Sequence, residues 1–443
     1  MIETDIFIVG TGCSGLYCAL NLPRDKQILM ITKSDVESSD SYLAQGGICV
    51  LKDESDYDSY FEDTLKAGHY ENNKESVDIM IRTSQEVIAE LIGYGVDFEH
   101  TRNGELAYTR EGGHSDKRIL FHEDETGEEI THNLLNRVKE LPNVTIMERT
   151  ALVDILEKDN TCYGGVIRKA DGQLDTVVFK DDMVLACGGI GGLYKHSTNF
   201  RHLTGDGIAI AIKHGIKRQD IDYIQIHPTT LYSDKPQDRS FLISESVRGE
   251  GAVLLDKNMQ RFTDELVPRD VLTAAIRKQM KKDGTEFVWE DLRTIPREEV
   301  ESHFPNIVEH CKSRGFDVFT EPIPVVPAQH YFMGGIQVDH NSATSMDNLY
   351  AVGETACNGV HGVNRLASNS LLESLVFAKR AAHKINADAV GLNATKELPW
   401  EDRKKVAAEL FNPENYENQE QLEQEYRQLV LDEIDKFEKE RGM

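Results

Sequence analysis

The segment DIFIVGTGCSGLYCALNL, close to the N-terminus, constrains the fold more than any other part of the sequence. A short apolar run ends in Gly10-x-Gly12-x-x-Gly15, an apolar helical pattern follows, and a second apolar run, QILMITK, comes next. Glycines at this spacing permit a tight turn and let the backbone approach a pyrophosphate at a helix N-terminus. The segment therefore predicts a β-α-β unit that binds a dinucleotide.

Two details near this motif leave alternatives open. The second strand of such a unit usually ends in an acid that holds the ribose hydroxyls, whereas Thr32 and Lys33 stand there in this chain. A lysine at that place can meet phosphate or ribose oxygens instead. The turn Gln45-Gly46-Gly47 is either an ordinary β-turn or a second place where backbone approaches the ligand.

Composition excludes some partners and sets a condition on the ligand. The 443 residues favour two or three domains, and acids outnumber bases by 76 to 49, which gives a net charge of −27. Such a charge argues against nucleic acid or an anionic membrane as a partner. If the ligand is an anion, its site must be a local positive pocket in a negative protein.

The seven cysteines are scattered, without a C-x-x-C pair, and the first residues carry acids rather than a basic region. We therefore expect reduced thiols, no metal site, no signal peptide and a cytoplasmic location. A helix whose core face carries Val77, Met80, Ile81, Val87, Ile88, Leu91 and Ile92 is predicted to end at Gly93 or Gly95.

The segment HGVNRLASNSLLES, residues 361–374, precedes another apolar helical pattern. Ser368 or Asn369 is a suitable N-cap, but a cap does not explain His361, Asn364 and Arg365. These extra groups indicate that an anion lies at the positive end of this helix. Farther upstream, Asp206 precedes an apolar helix, either as an N-cap or as an acceptor for ribityl hydroxyls.

The order of these patterns predicts an α/β chain (α+β overall) with a Rossmann-like dinucleotide-binding domain, an inserted α+β domain and a short C-terminal helical segment. The resemblance to a flavoprotein family, carried by the motifs below, implies that the first is an FAD-binding domain and the second a capping domain. The predicted boundaries are 1–220 and 331–392 for the FAD-binding domain, 221–330 for the capping domain and 393–443 for the helical segment.

Several motifs, taken in order, resemble the L-aspartate oxidase family within the succinate dehydrogenase/fumarate reductase flavoprotein superfamily. The most specific of them are AQGGI, REGGHS, HPTTLY, RGEGA, PRD, HYFMGG and HGVNRLASNSLLE, and the resemblance extends to about residue 390. It implies FAD, oxidation of L-aspartate to iminosuccinate on the way to quinolinate and NAD, reoxidation by O2 or fumarate, and a quinolinate synthase as a transient partner. The residues that it implies for FAD are Gly10, Thr11, Gly12, Cys13, Ser14, Gly15, Lys33, Ser41, Tyr42, Leu43, Ala44, Gln45, Gly46, Gly47, Asp206, Glu354, Ser370 and Leu371.

L-Aspartate carries two carboxylates and one ammonium, so its site needs anion clamps and an acid. The resemblance supplies both kinds of residue. The implied catalytic residues are His227, Arg269, His330, Arg365 and Glu111, with Glu111 beside the ammonium. The implied substrate-binding residues are Gln225, Ser244, Glu245 and Arg248.

The way in which FAD is attached and the choice of substrate distinguish the expected function from its alternatives. Membrane-bound relatives attach FAD through a histidine five residues before the glutamine of AQGG, and Asp40 stands at that position here, so we expect non-covalent FAD. The alternatives are a soluble fumarate reductase or succinate dehydrogenase flavoprotein and a non-catalytic electron-relay subunit. Glu111 argues against the first, since succinate has no ammonium, and the cluster of anion clamps argues against the second.

Overall fold

The chain folds into parallel and antiparallel sheets that are covered by helices. The computed structural model describes residues 1–234, 239–390 and 398–442. The strands are β1 Ile2–Thr4, β2 Ile6–Val9, β3 Ile28–Ile31, β4 Ile48–Cys49, β5 Ile119–Leu120, β6 Val144–Met147, β7 Ala151–Lys158, β8 Thr161–Arg168, β9 Leu174–Phe179, β10 Met183–Leu185, β11 Arg218–Gln219, β12 Ile224–Leu231, β13 Val253–Leu255, β14 Val288–Asp291, β15 Ile323–Phe332, β16 Gly335–Gln337, β17 Leu349–Ala351 and β18 Ala356–Cys357.

The helices surround these sheets on several sides. They are α1 Cys13–Asn21, α2 Tyr57–Ala67, α3 Lys74–Tyr94, α4 Thr126–Lys139, α5 Asp206–Lys213, α6 Glu245–Gly249, α7 Arg269–Asp283, α8 Arg297–His303, α9 Pro305–Ser313, α10 Asn369–Val390, α11 Trp400–Leu410 and α12 Gln419–Arg441. Short 3₁₀ helices lie at Glu54–Asp56, Gly191–Leu193, Leu292–Thr294, Gly353–Thr355 and Pro413–Tyr416. Among the helices of the described segments, none has both the length and the apolar character that a bilayer crossing requires.

A parallel sheet in the order β17-β10-β2-β3-β6 forms the centre of the fold. Strands β17, β10, β2 and β3 are apolar and buried because both faces of the sheet are covered there, whereas the edge strand β6 is only partly buried. In β2, Ile6 and Ile8 pack into the core formed with α1, α3, α4 and α10, whereas Phe7 and Val9 pack into the core on the other side, with α5 and α12. This sheet carries the predicted β-α-β unit, and the predicted fold class is confirmed.

The glycine motif is needed for close backbone packing at the end of β2. Gly10 has φ +120°, and a Cβ there would lie 1.9 Å from the carbonyl oxygen of Ala186, which follows β10. A Cβ on Gly15 would lie 2.2 Å from the oxygen of Gly10. Both distances are too short for any side chain, so these two positions require glycine and bring the start of α1 against the sheet.

An antiparallel sheet in the order β12-β15-β14-β13 forms a second structural unit between Ile224 and Phe332. It has its own apolar core with α6–α9, to which Ile243, Leu254, Ile276 and Phe304 contribute. Its position in the chain corresponds to the predicted capping segment, and the limits 221–330 stay a prediction.

The pairing of β12 with β15 is interrupted by two β-bulges. Gln225 pairs with Tyr331 whereas Ile226 pairs with Gln329, so β15 carries His330 as an extra residue. His227 then pairs with Ala328 and Thr230 with Val326, so that β12 carries the extra residue there. The second bulge restores the register that the first one shifts. At each bulge the side chains point in directions that differ from those of a regularly alternating strand.

The C-terminal segment packs against the central domain. Residues 393–397 and 443 of the predicted segment 393–443 lie outside the described residues, as do 391 and 392 of the FAD-binding domain. Val430 and Ile434 of α12 join the core that includes α5, and Arg218 donates to Glu433. Near the end of α12, Arg441 lies 2.6 Å from Asp220. The segment therefore supports the helix that begins at Asp206.

One detail of the helix predictions is wrong. Helix α3 ends at Tyr94 with Gly95 in the left-handed conformation as its C-cap, and six of the seven predicted core residues are buried. Ile92, in contrast, has 45% of its surface exposed. It lies one residue beyond Leu91, and the rotation of the helix at that step carries it away from the core.

Candidate active site

One long cavity runs from the glycine motif to the second sheet. It encloses about 1650 Å³ of empty space, its open mouth included. At one end its wall includes Gly10, Thr11, Gly12, Ser14, Lys33 and Asp206, and at the other end Glu111, His227, Ser244, Glu245, Arg269, His330 and Arg365.

Lys33, which follows β3, forms an ion pair with an acid from another part of the chain. Lys33 Nζ lies 2.6 Å from Asp206 Oδ2 and 3.3 Å from Thr204 Oγ1. Asp206 is the first residue of α5, and both partners line the cavity. An acid from α5 therefore lies beside the end of β3 and is paired with the lysine.

The loop of residues 41–47 also lines the cavity, with one exception. Ser41, Leu43, Ala44, Gln45, Gly46 and Gly47 belong to the wall. The Tyr42 side chain turns away, and its hydroxyl donates to Glu128 at 2.8 Å. In the glycine motif, Cys13 and Gly15 also lie outside the wall, since Cys13 is buried in the core and Gly15 packs against Gly10.

Buried polar atoms in this half of the cavity lack protein partners. They are Ser39 Oγ, Asp40 Oδ2 and Gln45 Oε1. Buried polar groups are normally hydrogen-bonded, so these atoms indicate a polar ligand. Asp40 Oδ1 accepts from the backbone N–H of Phe200 at 3.0 Å, and burial raises the pKa of this carboxyl to about 7. A carboxylate here does not replace the bond-forming histidine of relatives, so the wall fits FAD held by non-covalent contacts.

Glu354 closes the wall next to Asp40. Its carboxylate accepts from the backbone N–H of Phe332 at 2.8 Å. Burial, together with the nearby Asp40, raises the pKa of Glu354 to about 8. A Cβ on Gly189 would lie 2.4 Å from this carboxylate, so the glycine-rich loop after β10 gives Glu354 its space.

Arg365 lines the second half of the cavity and makes little use of its hydrogen-bond donors. It is 3% exposed, its Nε has no partner, and its NH1 makes a long hydrogen bond of 3.5 Å to the oxygen of Leu366. Burial, with Arg269 nearby, lowers the pKa of its guanidinium to about 10. At neutral pH the group is therefore charged, and a buried charge without a partner calls for an anionic ligand.

Arg269 is held in place much more firmly. It begins α7, its Nε donates to Glu245 Oε2 at 2.6 Å, and its NH1 donates to Gln225 Oε1 at 2.8 Å. Burial alone would raise the pKa of Glu245, but Arg269 and Arg248 outweigh that effect and the pKa is lowered. Gln225 lies outside the wall and, like Glu245, orients Arg269 towards the cavity.

Arg248 lies behind the cavity wall. It is fully buried, donates to Thr229 Oγ1 and to the Glu265 backbone oxygen, and lies 3.8 Å from Glu245. Its contact with the cavity is therefore indirect, through Glu245.

His227 and His330 lie together in the wall, with ring centroids 5.0 Å apart. The Nδ1 of His227 contacts the Thr229 backbone, and that of His330 contacts Thr198 Oγ1 at 2.7 Å. Burial, together with Arg269, lowers the pKa of both imidazoles well below the usual range. Both rings are therefore neutral near pH 7, and His227 Nε2 lacks a protein partner.

Glu111 is, beside Glu245, a second buried acid among these cations. Its Oε1 accepts from Ser246 Oγ at 2.8 Å, and its Oε2 accepts from Ser368 Oγ. Burial and the neighbouring Glu245 raise its pKa. Ser368, expected to cap α10, therefore donates to Glu111 instead, and Asn369 Oδ1 accepts from Tyr60.

The segment before α10 differs from expectation at one further position. His361, expected beside an anion at the start of this helix, is buried outside the wall, and its ring meets the ring of Tyr331 edge-on at 5.5 Å. Asn364 accepts from Gln225. Ser370 and Leu371, in the first turn of α10, do line the cavity.

Tyr331 and Arg239 are among the wall residues that the sequence reasoning missed. Tyr331 stands directly after His330, and the Arg365 guanidinium lies 4.6 Å from the centre of its ring. Arg239 comes from the second sheet's unit and acts electrostatically on Asp40. The motif HYFMGG contains Tyr331, but in a regular strand the residue next to His330 would point to the opposite face.

The fold and the cavity define an FAD-dependent oxidoreductase, and comparisons with known proteins agree. Residues 5–371 match the family described as the FAD binding domain, and FAD is the cofactor. The chain is 50% identical to the L-aspartate oxidase of Clostridium perfringens over 383 residues, which are 86% of this chain and 87% of that protein. It is also 50% identical to the L-aspartate oxidase of Clostridium acetobutylicum over 385 residues, 87% of this chain and 88% of that one.

The chain therefore belongs to the L-aspartate oxidase family. Among solved structures it is similar to an E245Q variant of the E. coli quinol fumarate reductase subunit FrdA, with a TM-score of 0.85 and 30% identity. That match covers 92% of this chain and 74% of the other. The predicted family, fold class and cofactor are confirmed.

Proposed function

We propose that this enzyme oxidises L-aspartate to iminosuccinate, with O2 or fumarate as the electron acceptor. One observation carries the proposal: buried guanidinium groups and a buried carboxylate line the same half of one cavity. Arg365 and Arg269 suit an anion with two carboxylates, and Glu111 suits a cation attached to it. L-Aspartate combines these charges in one small molecule.

The two arginines have different parts in binding. Arg365 has an unpartnered Nε and offers parallel N–H donors, the geometry in which a guanidinium meets a carboxylate. Arg269 is fixed by Glu245 and Gln225 before any substrate arrives. A hydrogen bond to a charged group contributes about 1.5–3 kcal/mol, so two such clamps retain a dicarboxylate in a protein of net charge −27.

Glu111 makes the site selective for an amino acid. A pocket built from arginines repels an ammonium, and Glu111 is the wall carboxylate whose oxygens are held by hydroxyl donors alone. Ser246 and Ser368 keep this carboxylate in place without neutralising it. The ammonium of aspartate therefore pairs with Glu111, while the carboxylates of the substrate remain with the arginines.

FAD supplies a hydride acceptor at its N5 when it is bound. The chain contributes charge, orientation and neutral imidazoles around the substrate. His227 and His330 do not add positive charge at neutral pH, because burial keeps both rings unprotonated. The first turn of α10 presents the positive end of a long helix to the cavity, which favours negative charge there.

The test is anaerobic reduction of the holoenzyme. L-Aspartate should bleach the yellow flavin colour, whereas succinate, which lacks the ammonium, should do so far more slowly. Equal bleaching by succinate would favour the alternative function, a fumarate reductase or succinate dehydrogenase type of flavoprotein. No bleaching by L-aspartate in an enzyme that holds its FAD would overturn the proposal.

The acceptor and the fate of the product are part of the same proposal. After reduction by L-aspartate, the colour should return on addition of either air or fumarate. Iminosuccinate is the precursor from which a quinolinate synthase makes quinolinate for NAD, and we propose such a synthase as a transient partner. Addition of a quinolinate synthase and its second substrate to the aspartate reaction should yield quinolinate, and its absence would remove this part of the proposal.

A further inference from the structure

In the described part of the chain three buried arginines lie over tyrosine rings, namely Arg118, Arg365 and Arg403, and they differ in their hydrogen bonds. Arg403 donates to the backbone oxygens of Lys180 and Cys162. Arg118 lies 5.1 Å from the ring centre of Tyr60 and donates to Asp56, Asp63 and Ser59. Its donors are thus used within the protein, as expected of a structural arginine. Arg365 is also stacked, but its donors are not used in this way.

Arg365 is held mainly by the ring of Tyr331. Its guanidinium carbon lies 4.6 Å from the ring centre, and within the described residues its one hydrogen bond is the 3.5 Å contact with Leu366. Its Nε is buried and unpartnered. A cation over an aromatic face is attracted by the ring without using any N–H donor. The guanidinium is therefore oriented while its donors stay free.

The ring of Tyr331 is itself firmly positioned. It packs in a small apolar cluster with Tyr223 and Met333, against which Val363 also packs. His361 meets it edge-on, with 87° between the ring planes. The bulge at His330 allows two consecutive residues of β15, His330 and Tyr331, to line the same cavity. The strand thus contributes one polar ring and one stacking platform to the site.

We propose that Tyr331 is a positioning residue that fixes Arg365 by stacking and so preserves the guanidinium donors for a substrate carboxylate. The inference rests on the proposed function, in that Arg365 receives one carboxylate of a dicarboxylate. In this proposal the aromatic ring of Tyr331 positions Arg365, and the hydroxyl group is not required. Replacement of the ring should therefore weaken dicarboxylate binding, and replacement of the hydroxyl alone should not.

The experiment compares Tyr331→Leu with the matched control Tyr331→Phe in the FAD-loaded enzyme. The probe is malonate, a dicarboxylate without an ammonium, and its Kd is read from the change that it causes in the flavin absorbance. For Tyr331→Leu we expect Kd to rise about 30-fold, equivalent to the roughly 2 kcal/mol of a desolvated cation–π contact. The KM for L-aspartate should rise in parallel, with a smaller change in kcat. Tyr331→Phe should restore both values to near those of the wild type.

The outcomes separate this inference from the proposed function. If the wild type binds malonate and Tyr331→Leu binds it equally well, the positioning role is overturned, whatever the substrate is. If Tyr331→Phe binds malonate as weakly as Tyr331→Leu, the hydroxyl acts and the ring does not, which also overturns it. If the wild type neither binds malonate nor oxidises L-aspartate, the proposed function fails and the inference falls with it. Should Tyr331→Leu not retain FAD, Tyr331→Met fills the same space without a ring and is held to the same expectation.

Discussion

Replacement of Glu111 by glutamine tests how the enzyme recognises an ammonium. The change keeps the size of the side chain and removes its charge. In the structure both oxygens of Glu111 accept from hydroxyls, of Ser246 and Ser368. A serine hydroxyl can rotate to accept from an amide as readily as it donates to a carboxylate. The glutamine should therefore be accommodated without loss of the fold or of FAD.

The size of the effect follows from burial. Glu111 is 2% exposed, so an ammonium that loses this partner has no water to replace it. Loss of a buried charged partner costs on the order of 2–5 kcal/mol, or roughly 30-fold to several-thousand-fold in kcat/KM. Fumarate carries no ammonium, so its reduction by the chemically reduced enzyme should change little.

Both half-reactions should be measured on the same preparation of Glu111→Gln. Glu290→Gln is a matched control, because Glu290 is also a fully buried carboxyl but lies away from the cavity wall. It should leave both half-reactions unchanged. If aspartate oxidation and fumarate reduction fall together in Glu111→Gln, the residue supports the loop and the ammonium is bound elsewhere.

The pH dependence gives a second measurement on the same residue. Burial and Glu245 raise the pKa of Glu111 above its usual value. Only the ionised carboxylate attracts an ammonium, so the KM for L-aspartate should rise as the pH falls through this raised pKa. In Glu111→Gln that acidic limb should vanish, and its persistence would assign the titration to another group.

Three further predictions concern the attachment of FAD, the role of Arg269 and the glycine motif. Acid precipitation of the holoenzyme should release all yellow colour, because Asp40 cannot replace the bond-forming histidine, and coloured pellets would contradict this. Arg269→Leu should retain FAD but lose at least ~10²–10³-fold in fumarate-dependent reoxidation, as is typical for one preorganised charge-stabilising donor; near-normal turnover would refute the assignment. Gly10→Ala should lower both Tm and FAD content, since its Cβ would lie 1.9 Å from a backbone oxygen, whereas Gly93→Ala, with nothing within 4 Å, should not lower them.

The sequence predicted which charged residues belong to the site more reliably than it predicted which of them face the cavity. Arg269 and Arg365 are far apart in the chain, yet both line one cavity with Glu111, as the dicarboxylate argument required. Residue type and motif order were enough for that prediction. The placement of Arg248 behind the wall was not visible, because it depends on how α6 packs against the second sheet.

Contacts made across the fold were the hardest to anticipate. Lys33, after β3, is paired with Asp206, which is 173 residues away from it in the chain. Tyr331 was missed because regular alternation in a strand would send it away from the side that His330 faces. The bulge breaks that alternation, and no local signal in the sequence indicated where the extra residue would fall.

The two bulges shift the register between β12 and β15 by one residue in opposite directions, so their effects on the pairing cancel. Deletion of a single residue at either bulge would leave one offset uncorrected, and the paired positions on one side would exchange core and solvent faces. Deletion of one residue at each would restore an unbroken ladder, so the second sheet should still fold. The deletion in β15 would remove His330, the extra residue there, and His227 would lose its neighbouring ring in the cavity wall. Length changes in β12 and β15 thus separate the requirements of folding from those of catalysis, which point substitutions in the same strands cannot do.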